Sequence, residues 1–158
     1  MKNIILLLTF FLAQTSWSQP TTIYMIRHAE KEDASANPNL SEEGKIRAEK
    51  WKSFFKDIPL DVIYTTDYNR TRQTALPIAS SKMQEVVVYH PSTLSLEALA
   101  KEHRGKALLV VGHSNSIPAQ INTLLDRKEF TDMKESEFGN LYTIVIDGKE
   151  VTSALSIP

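Results

Sequence analysis

The chain contains no cysteine, and this absence excludes several kinds of chemistry. Without thiols the protein has no disulfide, no thiolate metal ligand, no cysteine nucleophile and no lipid-modified cysteine. An excess of charge is also lacking, because 18 Lys and Arg nearly balance 19 Asp and Glu. Basic clusters and long charge runs are missing as well. We therefore expect neither nucleic acid nor an anionic membrane surface as a partner.

Long apolar runs are rare, and the longest one stands at the N-terminus. A lysine precedes the apolar residues 4–13, and Ser16 and Ser18 occupy positions −3 and −1 of a cut before Gln19. This pattern is typical of a secretory signal peptide, and the apolar run is short for a membrane span. An uncleaved anchor or a buried first helix is the alternative. We predict a signal peptide over residues 1–18, a domain over 19–158, and export to the periplasm or the extracellular space, without membrane attachment after cleavage.

The remaining sequence has the length and apolar content of one domain, with 42% hydrophobic residues overall. Short apolar runs alternate with helical patterns along it. Predicted strands are Ile23 to Arg27, Val62 to Thr65, Val86 to Tyr89 and Ala107 to Val111; predicted helices are residues 41–58, Tyr68 to Ser81, Leu94 to Glu102 and Ile117 to Leu125; a hairpin joins Leu141 to Ile146 with Glu150 to Ala154. This order predicts a three-layer α/β sandwich, with a largely parallel central sheet flanked by helices and a C-terminal antiparallel hairpin.

Three details of the predicted helices can be checked against a structure. Ser41 is expected to be the N-cap of the first helix. Asp67 is expected to cap the second helix. Pro77 lies inside that second helix and is expected to kink it or end it early, because proline removes a donor and clashes with the preceding turn.

Two predicted strands each end directly before a histidine, His28 and His113, and Arg27 precedes the first of them. The carboxyl ends of parallel strands meet at one sheet edge, where α/β proteins bind ligands. Phosphoryl transfer needs a nucleophile and positive groups around the phosphoryl oxygens. Neutral imidazole is a suitable nucleophile, and the arginine fork matches phosphate oxygens. Arg70 adds a second arginine. Lys31 either adds positive charge to the site or is an ordinary loop lysine.

Four segments carry a resemblance to a known family. The segments are Arg27-His28-Ala29-Glu30, Leu40-Ser41-Glu42-Glu43-Gly44-Lys45-Ile46-Arg47-Ala48, Arg70-Thr71-Arg72-Gln73-Thr74-Ala75 and Gly112-His113-Ser114. In these segments the sequence resembles the histidine phosphatase superfamily, which includes the phosphoglycerate mutases, and it resembles a compact, exported bacterial member.

The resemblance implies that His28 is phosphorylated and that Arg27, Arg70 and His113 hold the phosphoryl oxygens. It also implies that no metal or organic cofactor is needed. Ala29 replaces the glycine that follows the nucleophile in the family, and an alanine fits there if its φ is negative.

The sequence leaves three alternatives for the general acid of the reaction. Many family members carry a glutamate in an insertion before the second histidine strand, but that stretch is short here, from Tyr89 to Lys106. Glu30 and Glu97 are candidates, and a reaction without a protein acid is the third alternative. The short stretch resembles that of the small phosphohistidine phosphatases of the superfamily, whose leaving group needs less help.

The sequence thus predicts a phosphomonoester hydrolase that acts through a phosphohistidine intermediate on a phosphorylated small molecule or phosphoprotein. One alternative is a phosphoglycerate mutase-like phosphotransferase, which needs further cationic residues to hold the acceptor. The other is a non-catalytic phosphate-binding module, which would not need a nucleophile.

Overall fold

The structure is a computed structural model that describes residues 19–158. The predicted signal peptide lies outside the described residues. Six strands and four helices follow one another along the described chain. They are β1 (Thr21–Arg27), α1 (Glu42–Phe55), β2 (Val62–Thr66), α2 (Asn69–Ser81), β3 (Val86–Tyr89), α3 (Leu96–Glu102), β4 (Ala107–Gly112), α4 (Ser116–Leu125), β5 (Leu141–Asp147) and β6 (Glu150–Ser156). None of the helices in this range has the length and apolar character needed to cross a membrane.

The strands form one sheet in the order β3-β2-β4-β1-β5-β6. The first four strands of the chain run parallel to one another, whereas β5 is antiparallel to β1 and pairs with β6 as a hairpin. Gly148 lies in the hairpin turn with a φ of 61°, a conformation that glycine adopts without steric cost. The predicted three-layer α/β fold with a C-terminal hairpin is confirmed.

Helices cover both faces of the sheet, as the alternation along β4 shows. Leu108 and Val110 belong to a buried cluster that includes residues of α3 and α4. Leu109 and Val111 belong to a second cluster that includes residues of α1 and α2. Successive side chains of a strand point to opposite faces, so a fully apolar strand marks a sheet that is buried on both sides.

Helix α1 begins as the sequence predicts. The Ser41 hydroxyl accepts a hydrogen bond from the Gly44 N–H at 3.1 Å, which satisfies one of the free donors of the first turn. Ala48, Trp51 and Phe55 form the buried stripe of this helix. The helix ends at Phe55, three residues before the predicted end at residue 58.

Helix α2 contradicts the predicted cap, and it does not end early at its proline. Asp67 does not cap it: Tyr68 is at the N-cap position without a side-chain hydrogen bond, and the Asp67 carboxylate binds Arg72 instead. Pro77 does not end the helix, which continues to Ser81. The loss of one backbone hydrogen bond is offset because Ile78 and Ala79, beyond the proline, are buried in the core.

Candidate active site

The register of the parallel strands brings the two histidines together. Arg27 of β1 pairs with Gly112 of β4, so the residues that follow these two positions leave the sheet side by side. The His28 N–H donates to the Gly112 carbonyl at 3.0 Å. The two imidazole rings lie 5.5 Å apart between centroids. A cavity of about 390 Å³ opens at this edge of the sheet, and all five predicted site residues line it: Arg27, His28, Lys31, Arg70 and His113.

His28 lies at the bottom of the cavity, with 5% of its surface exposed. Its Nδ1 is 2.8 Å from the Ala29 carbonyl oxygen. A carbonyl only accepts, so Nδ1 carries the proton and Nε2 keeps its lone pair. Burial lowers the pKa of His28 to about 3, although the Ala29 carbonyl acts in the opposite direction. The ring is therefore neutral at pH 7, which is the form that acts as a nucleophile.

The loop after His28 is held by helix α2. The Ala29 N–H donates to the Thr74 hydroxyl oxygen at 2.9 Å, and the Thr74 hydroxyl donates to the Arg70 carbonyl at 2.7 Å. Ala29 is fully buried and is not among the residues with positive φ. Alanine therefore fits the position where the family has glycine, as the sequence analysis required.

Arg27 is almost completely buried, and its guanidinium is surrounded by the segment between α4 and β5. Its Nη1 donates to the carbonyls of Lys134, Glu135 and Glu137 at 2.8, 3.3 and 3.2 Å. The Phe138 ring covers the guanidinium at 4.2 Å. Burial lowers the pKa of Arg27, but an arginine stays charged at any physiological pH. The buried Nε has no hydrogen-bond partner among the described residues, so the hydrogen bonds of Arg27 to the protein leave one donor unsatisfied.

Arg70 is the second residue of α2 and is half-buried. Its guanidinium lies 4.4 Å from the centre of the Tyr68 ring. No carboxylate of residues 19–158 forms an ion pair with it. Burial lowers the pKa of Arg70, and the nearby charge of Arg27 acts in the same direction. Two guanidinium groups close to one cavity, one of them without a carboxylate partner, form a site for an anion.

His113 is held by the end of β2. Its Nε2 lies 3.1 Å from the Thr66 hydroxyl, which is in turn 2.8 Å from the Thr71 hydroxyl. Burial lowers the pKa of His113 to about 4, and the charges of Arg70 and Arg27 add to this effect. The resemblance implies that His113 holds a phosphoryl oxygen, and these surroundings keep its imidazole neutral at pH 7 before a substrate binds. A bound phosphoryl dianion would raise its pKa again.

Neither candidate acid from the sequence analysis lines the cavity. Arg47 shares its single Nε–H between the two oxygens of the Glu30 carboxylate, at 2.7 and 2.8 Å, and Glu30 is only 13% exposed. It is a structural partner of α1. Glu97 is an exposed residue of α3 that pairs with Lys101, and it borders a hollow at the opposite, amino-terminal end of β1.

The sequence analysis missed several residues that form the cavity or support it. Tyr68 and Glu135 line the cavity, Phe138 covers Arg27, and Thr66 and Thr74 hold its polar groups. Tyr68 could have been noticed because it adjoins the segment of Arg70. Nothing in the sequence singled out Glu135, which comes from an irregular stretch without apolar periodicity.

The part of the chain that contains most of the predicted site residues matches the model of a known family. Residues 23–91 match the family model of the histidine phosphatase superfamily, branch 1. This matched range includes His28 and Arg70, and the second histidine, His113, lies beyond it. No curated protein sequence gives a significant match to the chain.

Three solved structures that share this fold are named as phosphatases. A phosphoserine phosphatase from Entamoeba histolytica in complex with 3-phosphoglyceric acid is 18% identical, with a TM-score of 0.71 over 86% of this chain and 96% of that one. A mycobacterial glucosyl-3-phosphoglycerate phosphatase is 12% identical, with a TM-score of 0.66 over 88% and 98%. The protein histidine phosphatase SixA complexed with tungstate is 14% identical, with a TM-score of 0.67 over 84% and 94%. At these identities the likeness establishes the fold.

Proposed function

We propose that the chain belongs to the histidine phosphatase superfamily and is a metal-independent phosphomonoester hydrolase with His28 as its nucleophile. One observation carries this proposal. His28 Nδ1 donates to the Ala29 carbonyl, so Nε2 is an unprotonated nitrogen at the bottom of a cavity that Arg27 and Arg70 also line. The family match over residues 23–91 and the phosphatase fold support the same activity.

The proposed reaction has two steps. In the first, the Nε2 lone pair of His28 forms a bond to phosphorus while the bond to the ester oxygen breaks, and that oxygen takes up a proton as the alcohol leaves. In the second, water attacks phosphorus, the bond to Nε2 breaks, and inorganic phosphate and neutral imidazole result. The charges of Arg27 and Arg70 stabilise the negative oxygens in both steps.

The proposal of metal independence is supported by the kind of residues at the site. Groups of three or more His, Asp or Glu side chains able to hold a metal ion do not occur within residues 19–158. Positive charge comes instead from arginine, which needs no metal to bind phosphate. The substrate class we propose is a phosphorylated small molecule or a phosphoprotein, because the cavity opens to solvent and its rim residues are largely exposed.

The deciding experiment is the capture of the phosphorylated residue. The domain 19–158 is mixed with a labelled phosphomonoester in EDTA, quenched, and mapped by mass spectrometry. We expect acid-labile, alkali-stable phosphate on His28, and we expect its loss together with turnover in His28→Ala. His90→Ala is the matched control, since His90 is exposed and the hydrogen bonds of its imidazole are to Ser92.

Each contrary result points to a different alternative. Phosphate on His113 or on a serine would contradict the assignment of the nucleophile. Loss of turnover in EDTA would contradict metal independence. Transfer to a sugar acid that is faster than hydrolysis would favour the mutase, and phosphate binding without turnover would favour the binding module.

We also propose that the protein is exported and that residues 1–18 are removed. The support is the sequence pattern of that segment, with its small residues before Gln19. Mass spectrometry of the native protein from fractionated cells should find a terminus at or near Gln19 outside the cytoplasm. A chain that keeps Met1 and stays in the cytoplasm would contradict the proposal.

A further inference from the structure

Glu135 is the one carboxylate among residues 19–158 that lines the active-site cavity. It lies between α4 and β5, far in the sequence from the segments that carry the family resemblance. Its side chain is 83% exposed, whereas Glu30 is held by Arg47 and Glu97 lies at the other end of the sheet. A proton donor for the leaving group must be within reach of this cavity, and Glu135 meets this condition.

The backbone around Glu135 is firmly anchored. Met133 is buried in the core, and its N–H donates to the Ser114 carbonyl at 3.1 Å. Arg27 Nη1 holds the carbonyls of Lys134 and Glu137 on either side, in addition to that of Glu135 itself. The Lys134 N–H also donates to the Glu137 carboxylate at 3.0 Å. The Cα of Glu135 is thus kept at the rim of the cavity.

The side chain of Glu135, in contrast, is weakly held. Its carboxylate makes one contact, to Arg27 Nη2 at 3.4 Å, which is the long end of the hydrogen-bond range. Because an ion pair with one highly exposed partner contributes little to stability, the carboxylate can change rotamer without disturbing the fold. A residue that donates a proton in one step and accepts a proton in the next must be able to move its carboxylate. An anchored backbone with a movable carboxylate suits this role.

The geometry of attack places the leaving group on the side of the rim. His28 is 5% exposed and lies at the bottom of the cavity, whereas Glu135 is exposed at its opening. In phosphoryl transfer the nucleophile and the leaving oxygen are roughly in line on opposite sides of phosphorus. A phosphoryl group attacked from the bottom by His28 therefore directs its leaving oxygen outward, toward the rim where Glu135 lies.

We infer that Glu135 is the general acid and base of the reaction, an inference that rests on the hydrolase function proposed above. In the first step its protonated carboxyl gives the proton to the leaving ester oxygen as the bond to phosphorus breaks. In the second step the carboxylate takes a proton from the water that attacks the phosphohistidine. The alcohol and phosphate leave, and Glu135 is protonated again.

Other side chains that carry charge or a proton also line the cavity next to Glu135. They are Arg27, Lys31, Tyr68, Arg70 and His113. Tyr68 is exposed at the rim, as Glu135 is, so the test must include Tyr68.

The test compares hydrolysis of aryl phosphates whose leaving groups differ in pKa. We expect Glu135→Gln to retain turnover of 2,4-dinitrophenyl phosphate within a few-fold, since this leaving group needs no proton. Phenyl and alkyl phosphates should lose about 10²–10⁴-fold, the usual contribution of a positioned acid. Glu137→Gln is the matched control, because it removes a negative charge from the same turn, outside the cavity lining, and keeps an acceptor for the Lys134 N–H.

The outcomes separate this inference from the function on which it rests. If wild-type protein hydrolyses none of the esters, both are wrong. If it hydrolyses them and Glu135→Gln has the same leaving-group dependence as wild type, only the inference is wrong. A uniform loss over the whole series would show that Glu135 acts on the phosphoryl site instead and would also overturn it, as would a selective loss in Tyr68→Phe but not in Glu135→Gln.

Discussion

Acidification should destabilise this protein through His28, and the size of the effect follows from its burial. The pKa of His28 is about 3 in the folded protein, against 6.5 for a solvated imidazole, and burial is the main cause. The unfolded chain therefore binds a proton at His28 at a pH where the folded protein does not. The stabilisation from this group is complete above pH 6.5 and is lost as the pH falls toward 3.

A shift of one pKa unit corresponds to about 1.36 kcal/mol, so the expected loss can be calculated. Between pH 7.5 and pH 5.0, His28 alone should lower the free energy of unfolding by about 2 kcal/mol. The control variant is His28→Asn, because its side chain does not titrate and its amide can still donate to the Ala29 carbonyl. Contributions of the carboxylates and of His113 are common to both proteins and largely cancel in the difference.

The assay is urea unfolding of the domain 19–158 at several pH values in phosphate-free buffers, because bound phosphate would stabilise the folded state. We expect wild type to lose about 2 kcal/mol more than His28→Asn over this pH range. Parallel pH dependences in the two proteins would show that His28 is not held neutral by its surroundings. In that case the argument for an unprotonated Nε2 at the bottom of the cavity would fail as well.

Three further substitutions test other contacts of the site. Arg70→Lys should reduce turnover by about 10²–10³, because a point charge cannot replace a planar fork, and near-normal rates would place Arg70 outside the site. Thr74→Val should leave the buried Ala29 N–H unpaired and cost about 1–3 kcal/mol in thermal or urea unfolding. Gly44→Ala should strongly destabilise the folded protein in the same unfolding assays, because the new Cβ would lie 2.1 Å from the Glu30 carbonyl oxygen. Gly139→Ala is the control and should be nearly neutral, because the nearest atom to its new Cβ is 3.5 Å away.

Much of the fold could be predicted because it depends on local patterns. Short apolar runs mark strands that are buried on both faces, and Ser41 marks the start of α1. The sequence could not show that α2 continues past Pro77, because a sequence pattern does not show how much packing lies beyond a proline. Asp67 was misjudged for a similar reason, since Arg72 competes for its carboxylate.

The site was predictable where its residues follow strands in register, as His28 and His113 do. The residues that support the site could not be predicted from the sequence, because they come from segments that reach the cavity by tertiary packing. Glu135 is the clearest case: its position depends on the buried guanidinium of Arg27, which gathers the backbone carbonyls of residues 134, 135 and 137. The charge state of His113 could not be predicted from the sequence either, because it depends mainly on the burial of the imidazole ring.

The central position of β1 has a consequence for the order in which the protein can assemble. This strand is the first one within residues 19–158, yet its two neighbours are β4 and β5, and Thr21 pairs with Ile146. Closing such long loops is entropically costly before any contact rewards it, so folding should be slow for a domain of this size. During synthesis β1 has to wait until both of its neighbours, β4 and β5, have been made. Arg27 and His28 therefore reach their final surroundings only after β5 has been made, and a chain that stops before β5 lacks the assembled cavity.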